Sequence, residues 1–132
     1  MSTRVLVREG LFTADDPPAL LGTHCGACGR FHFPRADACT YCATADPEPV
    51  ELSRQGTLWA WTAVTAPPPG YLGEIPFGVG VVELPEGLRV ITRLTESDPG
   101  ALAEGQSMAL RIVALHKDED GNDVVTYAFA PA

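Results

Sequence analysis

Basic residues, histidines and long apolar runs are all scarce in this chain of 132 residues. One lysine and eight arginines stand against seventeen acidic residues, which gives a formal net charge of −8. Proteins that bind nucleic acids usually present a basic face, because contacts to phosphates dominate their affinity. The charge balance therefore argues against a nucleic-acid partner, although a local group of arginines can still hold one small phosphate ligand.

No stretch approaches the roughly 20 consecutive apolar residues that a membrane-spanning helix needs. The opening Met-Ser-Thr-Arg is not followed by an apolar run, so it does not predict a secretory signal peptide. We therefore expect a cytoplasmic protein with no membrane contact and with reduced cysteines.

The four cysteines form two C-x-x-C pairs, Cys25 with Cys28 and Cys39 with Cys42. Two such pairs at this separation are typical of a zinc ribbon, in which each pair forms a short turn, or knuckle, and four thiolates surround one ion. Four sulfur ligands leave no open coordination position, so we predict one structural Zn²⁺. Iron in a rubredoxin-type site uses the same ligands, and the residues alone leave that alternative open.

Other uses of these cysteines are less favoured. Two disulfides suit a small secreted protein, and a thioredoxin-like redox site needs only one C-x-x-C pair. Because four sulfurs complete a tetrahedral shell, His24 and His32 are predicted to lie beside the metal or in solvent rather than to bind it. Gly29 suits the positive φ that often follows a knuckle, whereas Ala43 occupies that place in the second, so the sequence pattern of the two knuckles is asymmetric.

The residues before the cysteines suggest an arm and a helix. Residues 4–13 mix apolar and charged side chains and predict a short strand or extended arm, which packs on its own domain or, alternatively, docks on a partner. Residues 15–21 combine acidic residues, two prolines and an apolar run, which predicts a brief helix that Gly22 ends.

After an acidic, proline-bearing linker at 45–49, five runs have the composition or alternation of β-strands. Residues 97–105, between the third and fourth runs, predict a short helix with a capping residue, a proline in its first turn and a glycine stop. Three strands, a helix and two strands are the order of an OB-fold, a small Greek-key barrel. The five predicted strands span 57–65, 78–84, 88–94, 107–116 and 124–130.

Two loops of the barrel attract functional interpretations. The proline-rich loop 66–77 is long, and loops of this length in compact domains are often functional. The acidic segment 118–123 resembles a calcium loop only superficially, because its glycine comes too early for an EF-hand and no closing glutamate follows. We interpret it as a hairpin turn.

At this point the chain resembles a bacterial and archaeal family that joins an N-terminal helix, a rubredoxin-like zinc ribbon and a C-terminal OB-fold. One departure is Thr40, where the second knuckle usually has proline. The matching stretches cover nearly the whole chain: E-G-L-F-T (9–13), L-L-G-T-H-C-G-A-C-G (20–29), F-P-R (33–35), C-T-Y-C (39–42), G-T-L-W-A-W-T (56–62), P-F-G-V-G-V-V-E-L (76–84) and F-A-P (129–131).

The resemblance implies an accessory subunit of acyl-CoA enzymes, in which a thiolase-like or lipid-transfer-protein-like aldolase partner carries the catalytic residues. Steroid side-chain degradation is one setting for such aldolases, and similar domains also accompany MaoC-type enoyl-CoA hydratases. We therefore predict a hetero-oligomer in which this chain has no catalytic residue of its own and helps to form the acyl-CoA channel. A nucleic-acid-binding module and a stand-alone acyl-CoA hydratase or hydrolase that uses His116 are the rival interpretations.

Coenzyme A carries phosphates that arginine recognises through its planar guanidinium, and an adenine on which aromatic rings stack. A solvated surface charge, or core packing for the tryptophans, is the plainer interpretation of each such residue. The predicted domains are an arm and helix over 1–22, the ribbon over 23–46 and the OB-fold over 47–132. The candidate CoA contacts are Arg30, Phe33, Arg35, Arg54, Trp59, Trp61 and Tyr71.

Overall fold

The computed structural model describes residues 4–8, 10–14 and 17–132. Across these ranges the chain is almost entirely β-structure, and its single helical element is a 3₁₀ turn at Pro99–Ala101. No helix in the described part of the chain is long and apolar enough to cross a membrane. The strands are β1 Arg4–Leu6, β2 Phe12–Thr13, β3 Ala19–His24, β4 Phe31–His32, β5 Glu48–Glu51, β6 Gln55–Val64, β7 Phe77–Glu83, β8 Arg89–Leu94, β9 Ser107–Lys117 and β10 Asp123–Pro131.

Five of these strands close into a barrel in the order β6-β7-β8-β10-β9, and β9 returns to pair with β6. The pairing of β8 with β10 is parallel, while the other four pairs are antiparallel. This is the connectivity of an OB-fold, so the predicted barrel and its five strands are confirmed. β1 adds to the other half of β10, in parallel, and extends the sheet.

The second sheet is small and carries the cysteine-rich segment. Its central strand, β3, pairs with β2 at one end and with β4 and β5 at the other, always antiparallel. Ala19 and Leu20 on β3 are fully buried. Neighbouring strands pair with both edges of β3, and its buried apolar residues are consistent with a central position in the sheet.

One continuous apolar core joins the small sheet to the barrel. Phe12 and Leu20 from the small sheet, and Leu52 just after β5, belong to the same buried cluster as the barrel residues. Leu52 is 1% exposed and its N–H donates to the Leu20 carbonyl at 2.9 Å. The ribbon is therefore packed onto the barrel rather than tethered to it. The barrel members of the cluster are Leu58, Val82, Leu84, Val90, Leu94, Leu102, Met108, Leu110, Val125 and Phe129.

The predicted N-terminal helix at 15–21 is wrong where the structure can test it. Residues 15 and 16 lie outside the described residues, and Ala19–His24 is strand β3. A short apolar run fits a buried strand as well as a helix, and here pairing to three strands decides between them. Gly22, predicted to end a helix, instead lies within β3, where a Cβ would collide with the carbonyl oxygen of His32.

The predicted helix at 97–105 is reduced to the 3₁₀ turn Pro99–Ala101. Asp98 caps it by accepting a hydrogen bond from the Gly100 N–H at 2.9 Å. Leu102 follows in an extended conformation and is 9% exposed within the core. The predicted helix therefore ends early, at Ala101, and the next residue is buried in the core.

The arm at 4–13 packs on its own domain over part of its length. Phe12 is 1% exposed, and Leu6 and Leu11 pack against the core. Val5 and Val7 remain 38% and 44% exposed. The hairpin turn predicted at 118–123 is confirmed, because it joins the antiparallel strands β9 and β10, and Asp118 accepts hydrogen bonds from N–H groups across it.

Candidate metal centre

The first knuckle is closed by two backbone hydrogen bonds. The Gly29 N–H donates to the Cys25 carbonyl at 2.8 Å, and the Cys25 N–H donates to the Arg30 carbonyl at 2.9 Å. Gly29 has φ +78°, the left-handed conformation that glycine adopts without steric cost. Gly29 therefore has the positive φ that the sequence predicts for it.

The second knuckle repeats the same pattern without a glycine. The Ala43 N–H donates to the Cys39 carbonyl at 2.9 Å, and the Cys39 N–H donates to the Thr44 carbonyl at 2.8 Å. Ala43 has φ +63°, which costs an alanine roughly 1–2 kcal/mol relative to its preferred conformations. The knuckles therefore differ in sequence but share their backbone geometry.

The two knuckles bring the four sulfurs together, all within 4.8 Å of one another. Cys25 Sγ and Cys42 Sγ are 3.6 Å apart, and Cys28 Sγ and Cys39 Sγ are 3.5 Å apart. A tetrahedral zinc ion with Zn–S bonds of about 2.3 Å requires sulfur separations of about 3.8 Å. The four cysteines thus fit one structural zinc ion as they stand.

Each knuckle contributes one inner and one outer cysteine. Cys25 and Cys39 are buried, whereas Cys28 and Cys42 are exposed. The candidate centre therefore lies at the edge of the ribbon, with two of its ligands towards the protein and two towards solvent.

Hydrogen bonds from neighbouring groups tune the thiols. The Thr44 hydroxyl lies 3.1 Å from Cys42 Sγ and, with the Thr44 backbone, lowers the pKa of Cys42 to about 6. The Cys28 N–H is the main cause of the lowered pKa of Cys25. Lowered pKa values favour thiolates, which are the form that binds metal. At Cys28 the lowering effect of the hydrogen bond from the Arg30 backbone is outweighed by desolvation and by hydrogen bonds with the other sulfurs, which raise the pKa of Cys28 to about 11.

The histidines lie outside the four-sulfur cluster, as predicted for His24 and His32. His24 stacks on Phe31 with ring centroids 4.5 Å apart. His32 is 5% exposed, and its Nε2 lies 3.3 Å from Cys39 Sγ. His116, at the far end of β9, has Nδ1 3.0 Å from the Lys117 carbonyl oxygen.

The candidate CoA contacts in and near the ribbon each engage a different partner. The Arg30 guanidinium lies 4.4 Å from the centroid of the Tyr41 ring. Phe33 packs edge-on against Tyr127, with centroids 5.7 Å apart. Arg35 Nε donates to the Gly22 carbonyl at 3.3 Å, and Arg54 Nε donates to the Pro18 carbonyl at 2.6 Å.

The two candidate tryptophans, which strict alternation along β6 places on one face, lie in different environments. The register of β6 against β7 shifts between Leu58 and Ala60, which interrupts the alternation at Trp59. Trp59 is 48% exposed and lies beneath Arg89, 4.2 Å from its guanidinium carbon. Trp61 packs against the core, and its Nε1–H donates to the Pro99 carbonyl at 3.0 Å.

Tyr71, in the long loop before β7, belongs to a cluster whose other members, Phe77 and Arg93, are not among the candidate CoA contacts. Arg93 Nη1 donates to the Tyr71 hydroxyl at 2.8 Å, and the guanidinium carbon lies 4.7 Å from the Phe77 ring centroid. Arg93 also lines a pocket of about 240 Å³ beside this loop. The alternation of Arg89, Ile91 and Arg93 along β8 was the available signal for an outward-facing arginine here.

Two family descriptions match successive parts of the chain. The first, a ChsH2 rubredoxin-like zinc ribbon domain, matches residues 12–48. The second, a ChsH2 C-terminal OB-fold domain, matches residues 49–113.

Similar proteins include subunits and scaffolds. A benzoylsuccinyl-CoA thiolase subunit, BbsA, from Thauera aromatica is 30% identical over 116 residues, which cover 85% of this chain and 76% of that protein. A DUF35 domain-containing scaffold protein from Pyrococcus furiosus is 31% identical over 113 residues, covering 85% of this chain and 82% of that protein. Among solved structures, an Ltp2-ChsH2(DUF35) aldolase chain superposes with a TM-score of 0.67 at 26% identity, covering 86% of this chain and 84% of the other.

Proposed function

Since this chain belongs to the family of ChsH2-type proteins, which join a rubredoxin-like zinc ribbon to an OB-fold domain, we propose that it is an accessory subunit of a thiolase-like acyl-CoA enzyme. The observation that carries the proposal is the similarity of 85% of this chain to a named thiolase subunit, together with the likeness to the DUF35 component of an aldolase. The partner is a thiolase or a lipid-transfer-protein-like aldolase and supplies the catalytic residues. A MaoC-type hydratase as a further partner and a cytoplasmic location stay predictions from the sequence.

The contribution of this chain is a rigid surface that completes the acyl-CoA channel of the partner. Rigidity follows from the shared core, in which Leu52 and Leu20 join the ribbon to the barrel. Pre-organised surfaces bind with a smaller loss of conformational entropy than flexible ones. A subunit of this kind can position the carrier portion of an acyl-CoA while a separate subunit performs the chemistry.

The CoA contacts belong to two surfaces rather than one. Arg30 and Arg35 belong to the ribbon, whereas Tyr71 and Arg93 form a cluster on the barrel. Tyr71 and Phe77 hold the guanidinium of Arg93 in place. A guanidinium held in this way is suited to bind a phosphate or the edge of an adenine ring. The substrate class we propose is an acyl-CoA, with steroid side-chain CoA esters among the candidates.

The histidines are placed for roles other than catalysis. His32 is buried against a candidate metal ligand, and His24 stacks on Phe31. His116 lies beside the β9–β10 hairpin turn, where its Nδ1 is engaged with the Lys117 carbonyl. A nucleophile and a base must converge to act together, and these positions support a non-catalytic role.

Co-purification of this chain with a thiolase-like protein tests the proposal. We expect the two proteins to elute together on gel filtration, and acyl-CoA turnover to require both. Full activity of the partner alone, with no complex between the two, would refute an accessory role.

Single substitutions test the channel within that complex. Substitutions at residues that contact CoA should raise the KM for acyl-CoA while the complex stays intact, and Arg111→Ala, outside the candidate set, is the control. An unchanged KM in every variant would remove this chain from the CoA site and leave only an assembly role. The variants are Arg30→Ala, Arg35→Ala, Arg54→Ala, Tyr71→Phe and Arg93→Ala.

A further inference from the structure

A chain of three buried polar groups leads from the small sheet to the candidate metal. Thr23 on β3 is 2% exposed, His32 on β4 is 5% exposed, and Cys39 is 3% exposed. Thr23 and His32 are direct cross-strand partners in the β3–β4 pair. Thr23 Oγ1 lies 3.1 Å from His32 Nδ1, and His32 Nε2 lies 3.3 Å from Cys39 Sγ. The imidazole thus bridges a hydroxyl and a sulfur with both of its nitrogens engaged.

Metal binding determines which way the hydrogen bond to sulfur runs. A thiolate on a metal carries no proton, so Cys39 Sγ can only accept, and His32 Nε2 must donate. A neutral imidazole then has a bare Nδ1, which accepts a hydrogen bond from the Thr23 hydroxyl. We propose that Thr23 and His32 form a relay that holds the imidazole in its Nε2–H tautomer and fixes the Cys39 thiolate on the ion.

Further contacts hold the relay in place. The Tyr41 ring stacks on the His32 ring, with centroids 5.8 Å apart and an interplanar angle of 26°. The Tyr41 N–H donates to Cys39 Sγ at 3.4 Å, so this sulfur receives two donors. Four thiolates and a dication leave two net negative charges, and donors to sulfur offset part of that charge. Residues beyond the ligands commonly orient metal ligands in this way.

His24 offers a matched control on the same ribbon. It directly precedes the metal-ligand candidate Cys25, but its ring packs against Phe31 rather than against a sulfur. A histidine-to-leucine change there removes an imidazole from the same sheet without touching the relay. Differences between the two substitutions therefore report on the hydrogen bond rather than on the loss of a ring.

Cadmium-113 NMR of the full chain observes the relay directly. With ¹¹³Cd in place of zinc and ¹⁵N-labelled histidine, we expect a scalar coupling between the Nε2 proton of His32 and the metal, transmitted through Cys39 Sγ. Nδ1 should carry no proton. A proton on Nδ1, with or without one on Nε2, or an Nε2 proton without coupling to cadmium, would overturn the proposal.

Variants measure what the relay does for the metal. Removing a group that orients a metal ligand typically weakens metal affinity about 10- to 100-fold, and we expect His32→Leu to fall at the lower end in chelator competition. Thr23→Val should weaken metal affinity less than His32→Leu does. His32→Gln should keep most of the affinity that His32→Leu loses, because its amide can donate to Cys39 Sγ. The control His24→Leu should leave metal affinity unchanged.

Iron substitution separates the hydrogen bond from a purely structural role. Hydrogen bonds to the sulfurs help to set the reduction potential of iron–sulfur sites, so His32→Leu should make the potential of the iron-loaded ribbon more negative. Equal losses in His32→Gln and His32→Leu, or an unchanged potential in a folded His32→Leu variant, would overturn the donor role. If His32→Leu does not fold, the cadmium coupling in the unmodified chain decides the question.

Discussion

The ribbon and the barrel achieve order by different means. The barrel strands β6 to β10 are 6 to 11 residues long and enclose most of the buried apolar cluster. In the small sheet that carries the ribbon, β3 has six residues, and β2, β4 and β5 are only 2 to 4 residues long. Strands that short bury little apolar surface, so the ribbon depends on four cysteines and on the apolar residues it lends to the barrel core. The comparison shows that the metal site stabilises mainly the ribbon, whereas the apolar core stabilises mainly the barrel.

Removing the metal should produce the largest difference between the ribbon and the barrel. Structural zinc sites contribute about 10–16 kcal/mol of binding free energy in small metal-dependent domains. We therefore expect Cys39→Ser, or chelation of the native chain, to abolish hydrogen-exchange protection in residues of the two knuckles while β7 and β8 stay protected. Ser53→Ala, at the junction but outside the sulfur cluster, is the control. Unchanged protection of the knuckles after metal removal would contradict this account of the ribbon.

Truncating a shared core residue should reveal that the two regions unfold together. Leu52 is 1% exposed at the junction, so Leu52→Ala should cost about 2–5 kcal/mol in the free energy of unfolding. Phe129→Ala inside the barrel should cost about 3–5 kcal/mol. Thermal unfolding of the metal-loaded protein should remain a single transition in both variants. Two separated transitions in Leu52→Ala would show that ribbon and barrel are independent.

A methyl group at Gly22 should disturb the ribbon through its backbone. A Cβ there would collide with the His32 carbonyl oxygen and lie 3.0 Å from a methyl carbon of Leu52. Overpacking of this kind costs about 1–3 kcal/mol, and denaturant unfolding of Gly22→Ala measures it. Gly26→Ala is the control, because no atom lies within 4 Å of a Cβ built at that position. Equal stability of the two variants would contradict the close approach of β3 and β4.

The smallest expected change in stability comes from exchanging glycine and alanine between the two knuckles. Ala43 and Gly29 occupy equivalent places with φ +63° and +78°. Relief of the left-handed strain should make Ala43→Gly more stable by up to about 1 kcal/mol, and Gly29→Ala less stable by about the same amount. Chemical denaturation of the zinc-loaded protein checks both signs. A loss of stability in Ala43→Gly would show that the second knuckle carries no such strain.

Local periodicity was enough to predict the barrel. The five barrel strands follow from alternation and turn residues, and the metal site follows from cysteine spacing, because both signals are local. In β9, alternation places Met108, Leu110, Ile112 and Ala114 on one face, and at the start of the strand Met108 and Leu110 are buried. Towards its end the pattern weakens, because Ala114 is exposed.

Tertiary pairing decided the features that the sequence did not predict. Residues Ala19–His24 form a strand because three neighbours pair with it, which no local propensity encodes. Ala43 adopts a positive φ because the knuckle hydrogen bonds require it, although alanine disfavours that conformation. The bulge beside Trp59 separates two tryptophans that simple alternation places together. The CoA contacts and the domain boundaries stay predictions.

Native mass spectrometry of this chain with a thiolase-like partner protein tests the central claim most directly. The account predicts a hetero-oligomer whose mass includes one zinc ion for every copy of this chain, and whose acyl-CoA turnover is lost when the chain is left out. A partner that assembles and turns over acyl-CoA fully without this chain, or a folded chain that carries no metal, would contradict it.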